Sequence, residues 1–213
     1  MKVNLIATTF PLIKGINTAE ELITYCARVS NPSNQLNIET APKLLKYCIN
    51  HGHWSVFEQV DLTFEIVTSR DISAQILRHK SFSFQEFSQR YSEVTKLEPF
   101  QLRKQAEKNR QSSAEDYILS EEEQAKISEF LNNSLDLYKY FLNKGVAKES
   151  IRKILPMCTE TTLYMKGNAR SWIHYIDLRT KIDTQKEHRD IALAIKDLFV
   201  QQFPNIAQAL EWH

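Results

Sequence analysis

The stretch VDLTFEIV, residues 60–67, decides the fold class. Val60, Leu62, Phe64 and Ile66 alternate with Asp61, Thr63, Glu65 and Val67. A period of two puts one set of side chains on each face of a strand, so one face is buried. Working outward, residues 2–7 read as another strand and residues 159–166 as a candidate third. Ser69 opens a short helix through Ile72, Ile76 and His79, and residues 81–94 show no clear period. Thr18-Ala-Glu-Glu21 is a capping box for a helix to about Val29, and Ser120-Glu-Glu-Glu123 is a second box. The helix after Ser120 carries Ile127, Phe130, Leu131, Ser134, Tyr138 and Phe141 as a core stripe and ends at Gly145. Pro42 to Gly52 reads as a helix, and a short helix at 149–155 stops at Pro156. Asn168 reads as the N-cap of a helix to Thr180, and Thr184-Gln-Lys-Glu187 as the cap of a last long helix with Ile191, Ile195 and Leu198 on one face. Strands and helices without strict alternation give α+β, an antiparallel sheet packed with helices in a single domain spanning 1–213, with residues 95–119 as a polar surface excursion.

The 213 residues carry 27 Lys+Arg against 26 Asp+Glu, a net charge of +1. That balance speaks against nucleic-acid polymers and anionic membranes as partners. Four scattered glycines exclude a Walker loop and a GxGxxG turn, which need clustered glycines to bring amides against phosphate. Cys26, Cys48 and Cys158 have no CxxC spacing and read as reduced core thiols. No apolar run approaches a membrane span and the N-terminus lacks a signal-peptide pattern, so the expected location is cytoplasmic.

The densest polar cluster is Arg78-His79-Lys80, followed by Ser88, Gln89, Arg90 and Tyr91. Cations at a helix C-terminus complement its dipole, and that account suffices for the first trio. The second group and its aromatic spacer fit a nucleotide or phosphate site better: arginine offers a planar fork, serine a hydroxyl, an aromatic ring a stacking face. Either a catalytic nucleotide site or a non-catalytic RNA-binding module stacking on Phe82, Phe84 and Tyr91 would use these residue types. His51-x-His53 is compatible with a metal, but no third ligand is evident and no metal is expected. Trp54, Trp172 and Trp212 read as core or interface, and His188 and His213 as ordinary surface residues.

The stretch RHKSFSFQEFSQRY (78–91) resembles the signature of the flavin-dependent thymidylate synthases, Arg-His-Arg, seven residues, then Ser. The resemblance extends over ARVS (27–30), HGHWSVFEQ (51–59), RKILP (152–156) and NARSWIHYIDLR (168–179), in order along most of the chain. It implies reductive methylation of dUMP to dTMP, with 5,10-methylenetetrahydrofolate as carbon donor, FAD as cofactor, NADPH as reductant and no cysteine nucleophile. It assigns Gln75, Arg78, Glu86, Ser88, Gln89, Arg90, Arg152 and Arg179 to dUMP, with Arg179 as the catalytic group. Ser55, Arg78, His79, Lys80, Glu86, Asn168, Arg170 and His174 are assigned to FAD, with His53 beside the flavin or folate and Tyr91 beside the nucleotide. It also implies a homotetramer with active sites shared between subunits. Lys80 in place of the signature's second Arg, Gln59 and His174, and Asp183 within DTQKEHR (183–189), depart from the family pattern and fall mainly on the FAD side. A flavin reductase that has lost methyl transfer would carry the same motifs.

Overall fold

The computed structural model describes residues 1–212; His213 lies outside the described residues. In chain order the elements are β1 (Lys2–Thr8), α1 (Ala19–Ala27), α2 (Ala41–Asn50), β2 (Asp61–Ser69), α3 (Arg70–Ile76), β3 (Ser83–Glu86), β4 (Arg103–Gln105), β5 (Ser113–Asp116), α4 (Glu121–Asn143), α5 (Lys148–Ile151), β6 (Glu160–Asn168), α6 (Ala169–Arg179), α7 (Lys186–Gln202) and α8 (Pro204–Ala209). Tight turns at Trp54–Gln59 and Arg152–Ile154 join α2 to β2 and α5 to β6. One antiparallel sheet runs β1-β2-β6-β3, and β4-β5 is a separate hairpin. The α+β expectation therefore stands.

Leu62, Phe64 and Ile66 are fully buried on one face of β2, with Leu163 and Met165 beside them on β6. Trp172 of α6 packs edge-on against Phe64, ring centres 4.7 Å apart. Its indole N–H, which must find an acceptor once buried, donates to Gly167 O at 3.0 Å and Leu62 O at 3.3 Å. The helices thus cover one face of the sheet. The other face carries Asn4, Glu65, Asp61 and Lys166, joined by an Asn4–Glu65 hydrogen bond of 2.8 Å and a Lys166–Asp61 ion pair of 2.9 Å. Glu20, buried on α1, caps α8 by accepting from Ile206 N at 2.8 Å and Asn205 Nδ2 at 2.7 Å.

Both early capping boxes form, Thr18 with Glu21 and Ser120 with Glu123. Three readings are corrected. Within 81–94, residues 83–86 are strand β3 on the sheet edge. Residues 95–119 hold the β4-β5 hairpin, and Arg103 docks onto α7 through Glu187 at 2.7 Å. That pairing engages the carboxylate the Thr184 box requires, and Gln185 becomes the N-cap with no side-chain bond. The α4 stripe is core only toward its C-terminal half, where Ser134 and Tyr138 are buried; Phe130 is 62% exposed. Ile127, Phe130 and Leu131 instead line a cleft of about 700 Å³ shared with residues 98–103 and 156–158.

Candidate active site

The signature trio sits where α3 runs out, and its middle residue turns inward. His79 Nε2 lies 3.0 Å from Arg179 Nε, at the last residue of α6. An arginine Nε–H can only donate, so the imidazole accepts: it is neutral and its proton is on Nδ1. Burial and the adjacent Arg179 charge push the His79 pKa down to about 4, which agrees with that geometry. Among the described residues, no acceptor meets the two terminal nitrogens of Arg179, and no carboxylate comes within ion-pair range of Arg78, Lys80, Arg152 or Arg179. Cations left without partners are poised for an anion that comes from outside.

Glu86, at the end of β3, is held by three groups: the Arg70 guanidinium at 2.7 Å, Ser73 Oγ, and Thr161 Oγ1 at 3.0 Å. Its carboxylate is fixed before any ligand arrives. Gln75 of α3 donates to Gln185 at 2.7 Å. Beyond β3 the chain turns sharply, Tyr91 N and Ser92 N both donating to Ser88 O, which leaves Ser88, Arg90 and Tyr91 exposed and Gln89 buried. Arg90 meets Glu149 of α5 at 3.0 and 3.1 Å, one helical turn before Arg152. Both partners of that pair are well exposed, so opening it costs about 0–1 kcal/mol.

A third group gathers on the exposed side of α6. Arg170 pairs with Glu58, and the His174 ring lies 5.0 Å from Trp54, between exposed His53 and Ser55. Asn168 accepts from Ser171 N at 2.9 Å as the N-cap of α6, so its carbonyl is engaged and only its amide nitrogen is free to donate. His51 stacks on Tyr47 at 4.0 Å and bonds its carbonyl, and among the described residues no three His, Cys, Asp or Glu side chains come together as a metal site.

Apart from Glu86, held by Arg70, Ser73 and Thr161, the expected residues thus form three groups: 75–80 with Arg179, 88–91 with Arg152, and 53–58 with 168–174. None lines the cleft below α4. Within the described residues no hydrogen bond, ion pair or ring contact joins the 88–91 group to Arg179. The sequence reading missed Arg70, Ser73 and Thr161, which anchor Glu86. It also misplaced His188, which is fully buried with its Nε2 3.1 Å from the Tyr175 hydroxyl. A signal existed: His188, Ile191 and Ile195 share helical spacing, so His188 belongs to the buried stripe of α7. Phe82 and Phe84 pack against the core, leaving Tyr91 as the exposed ring of the three the RNA-binding reading relied on.

A family model described as Thymidylate synthase complementing protein matches residues 11–205. "Probable flavin-dependent thymidylate synthase" of Paramecium bursaria Chlorella virus 1 is 52% identical over all of both chains, and "Flavin-dependent thymidylate synthase" of Synechocystis sp. is likewise 52% identical over all of both. The chain belongs to the flavin-dependent thymidylate synthase family. A solved structure, that of a UMP/dUMP methylase PolB from Streptomyces cacaoi bound with 5-Br dUMP, has a similar fold: TM-score 0.81 at 23% identity, covering 99% of this chain and 94% of that one. In this member of the flavin-dependent thymidylate synthase family the two parts of the signature therefore make separate contacts. The trio closes α3 against α6, and Ser88 opens the turn that faces α5.

Proposed function

We propose that this single-domain chain is a flavin-dependent thymidylate synthase that methylates C5 of dUMP to give dTMP. Full-length relatives at 52% identity support the activity. Within the structure, the observation that carries it is Arg179, gripped through Nε by a neutral imidazole with its two terminal nitrogens unengaged. Uracil C5 is a poor nucleophile until negative charge gathers on the N3, C4 and C2 oxygen system. A guanidinium fixed beside that system stabilises the charge as it develops and needs no reorganisation at that moment.

Arg90 and the Ser88 hydroxyl would take the dUMP phosphate. The Glu149 carboxylate already fills the Arg90 fork as an internal anion, and a dianionic phosphate displaces it at small cost. Arg78, Gln75, Gln89 and Arg152 complete the donor set around the nucleotide, and Glu86, pinned by Arg70, Ser73 and Thr161, offers a fixed acceptor.

The residues present fit FAD: unpaired Arg78 and Lys80 suit the pyrophosphate, while Ser55, His53, His174 and the Asn168 amide offer donors along one exposed side. Arg170 joins them once its exposed pair with Glu58 opens. FAD when bound supplies the reducing hydride, with NADPH as its reductant and 5,10-methylenetetrahydrofolate as the source of the carbon. Because no direct contact joins the 88–91 group to Arg179 among the described residues, we read the site as shared between copies in a homotetramer, in the cytoplasm.

The test is a visible absorption spectrum of protein reconstituted with FAD, before and after dUMP, with dTMP assayed in parallel. A flavin band that shifts with dUMP, and dTMP formed only when all substrates are present, is the expected result. Arg179→Ala should retain the flavin and lose about 10²–10³ in kcat. Full activity in that variant would refute the role of Arg179, and failure to hold flavin under any condition would overturn the enzyme reading.

A further inference from the structure

Behind the His79–Arg179 pair lies a second polar pair for which the reaction has no direct use. Tyr175 stands one turn before Arg179 on α6, and His188 is the third residue of α7. Both are buried, joined by the 3.1 Å contact between the Tyr175 hydroxyl and His188 Nε2. Among the described residues His188 Nδ1 has no hydrogen-bond partner. A leucine there would extend the stripe of Ile191, Ala192, Ile195 and Phe199 without burying an unsatisfied nitrogen. Polar groups kept in the core at such a cost are expected where a site requires them.

The surroundings of His79 indicate what is required. The Tyr175 ring meets it edge-on at 4.9 Å, His188 stands at 6.1 Å and 88° to it, and Phe82 at 6.3 Å and 86°. Among the described residues these three rings, set edge-on, leave the imidazole side chain one polar contact, the Arg179 Nε–H. Were the ring to turn over, a C–H would face the Arg179 Nε–H, and were its proton on Nε2, that N–H would face another donor; either way the guanidinium would lose its acceptor and swing free. The Tyr175–His188 bond ties α6 to α7 at this level and fixes the tyrosine ring that backs His79.

We propose that Tyr175 and His188 are positioning residues for the methyl transfer: they lock His79 in the orientation and tautomer that accept from Arg179 Nε, so that the guanidinium presents its two terminal nitrogens to the pyrimidine. This rests on the reading of Arg179 as the group beside the base.

The experiment uses the FAD-loaded full chain as wild type, His188→Leu, His188→Gln, Tyr175→Phe and the double variant Tyr175→Phe/His188→Leu. It reads flavin content, melting temperature, kcat and KM for dUMP, and the histidine tautomers by ¹⁵N NMR of ¹⁵N-histidine-labelled protein. The wild type should show one His79 tautomer, protonated on Nδ1. The double variant should melt no lower, hold its flavin, populate both tautomers and lose about tenfold in kcat. His188→Gln, which restores a partner for the Tyr175 hydroxyl, should recover to within about threefold of wild type. A merely structural role would move the melting temperature and leave the tautomer and kcat in place. Unchanged kcat with a single tautomer in the double variant overturns the proposal, as does a mixture of tautomers in the wild type. A wild type that binds flavin and makes no dTMP overturns the proposed activity instead, and the tautomer readout still decides whether Tyr175 and His188 lock His79. If the double variant fails to fold, Tyr175→Phe, smaller by one oxygen, is judged by the same criteria.

Discussion

His79 and His188 are held uncharged in the folded chain. Burial comes first for both, then the charge of Arg179, and the pKa values fall to about 4 and about 3. In the unfolded chain each returns to about 6.5. Between these values the unfolded state binds protons that the folded state refuses, so stability must fall as pH is lowered from about 6.5 toward 4. The slope is at most about 1.4 kcal/mol per pH unit for each imidazole. Glu20 works the other way: burial raises its carboxyl, which favours the folded state on the acid side. The histidine effect is therefore read most cleanly above about pH 5.5. Melting temperatures should drop from pH 7 to 5.5, and His188→Leu should remove a large part of that drop. A flat profile would mean that neither ring is kept neutral. The cysteines support a second residue-scale prediction. Burial raises the thiol pKa of Cys26, Cys48 and Cys158, which suppresses the thiolate, and all three are free. Replacing all three should leave kcat within about twofold, with a stability cost of about 1–2 kcal/mol centred on buried Cys48. A folded, flavin-loaded, cysteine-free protein that makes no dTMP would place a thiol in the reaction.

At the scale of elements, β6 and the turn before β3 fit together through one glycine. A Cβ on Gly167 would stand 2.4 and 2.5 Å from two ring carbons of Phe82. That ring cannot easily retreat, because Trp172 packs against it at 4.6 Å and Tyr175 at 5.8 Å. Gly167→Ala should therefore cost about 1–3 kcal/mol in urea denaturation. It should also lower kcat, since Phe82 displaced toward His79 disturbs the imidazole that grips Arg179; unchanged stability would show that the turn yields freely. Elements announced by their own residues were legible in sequence: the period-two run of β2, the Thr18 and Ser120 boxes, and the Asn168 cap of α6 all stand as read. Elements decided by distant partners were not. Glu187 has the right spacing to cap α7 but answers Arg103, 84 residues away. Strand β3 is four residues long, too short for a period to stand out, and exists because β6 offers an edge.

Across the whole molecule, the types of residue a nucleotide site needs were legible, but their meeting place was not, because it is set by contacts between elements far apart in the chain. Within the described residues the turn at 88–91 faces α5, whereas Arg179 lies against His79 at the end of α3. Large apolar side chains also stand in solvent: Leu12 is 94% exposed, Ile118 91% and Ile182 85%. If these side chains form a contiguous patch, further copies of the chain are what would cover it. Shared sites make a prediction that a self-contained site does not. Arg179→Ala and Arg90→Ala proteins should each be inactive alone. If the two positions in one site come from different copies, mixing them under conditions that exchange subunits assembles some sites with both arginines intact. Random assortment gives about a quarter of the wild-type number of sites, so about a quarter of the activity should return. Each variant must first hold flavin and match the wild type in mass by light scattering, so that loss of assembly is not mistaken for loss of chemistry. If both variants assemble and exchange, yet the mixture stays as inactive as its parts, the two arginines belong to the same copy, and the shared-site reading falls while the role of Arg179 does not.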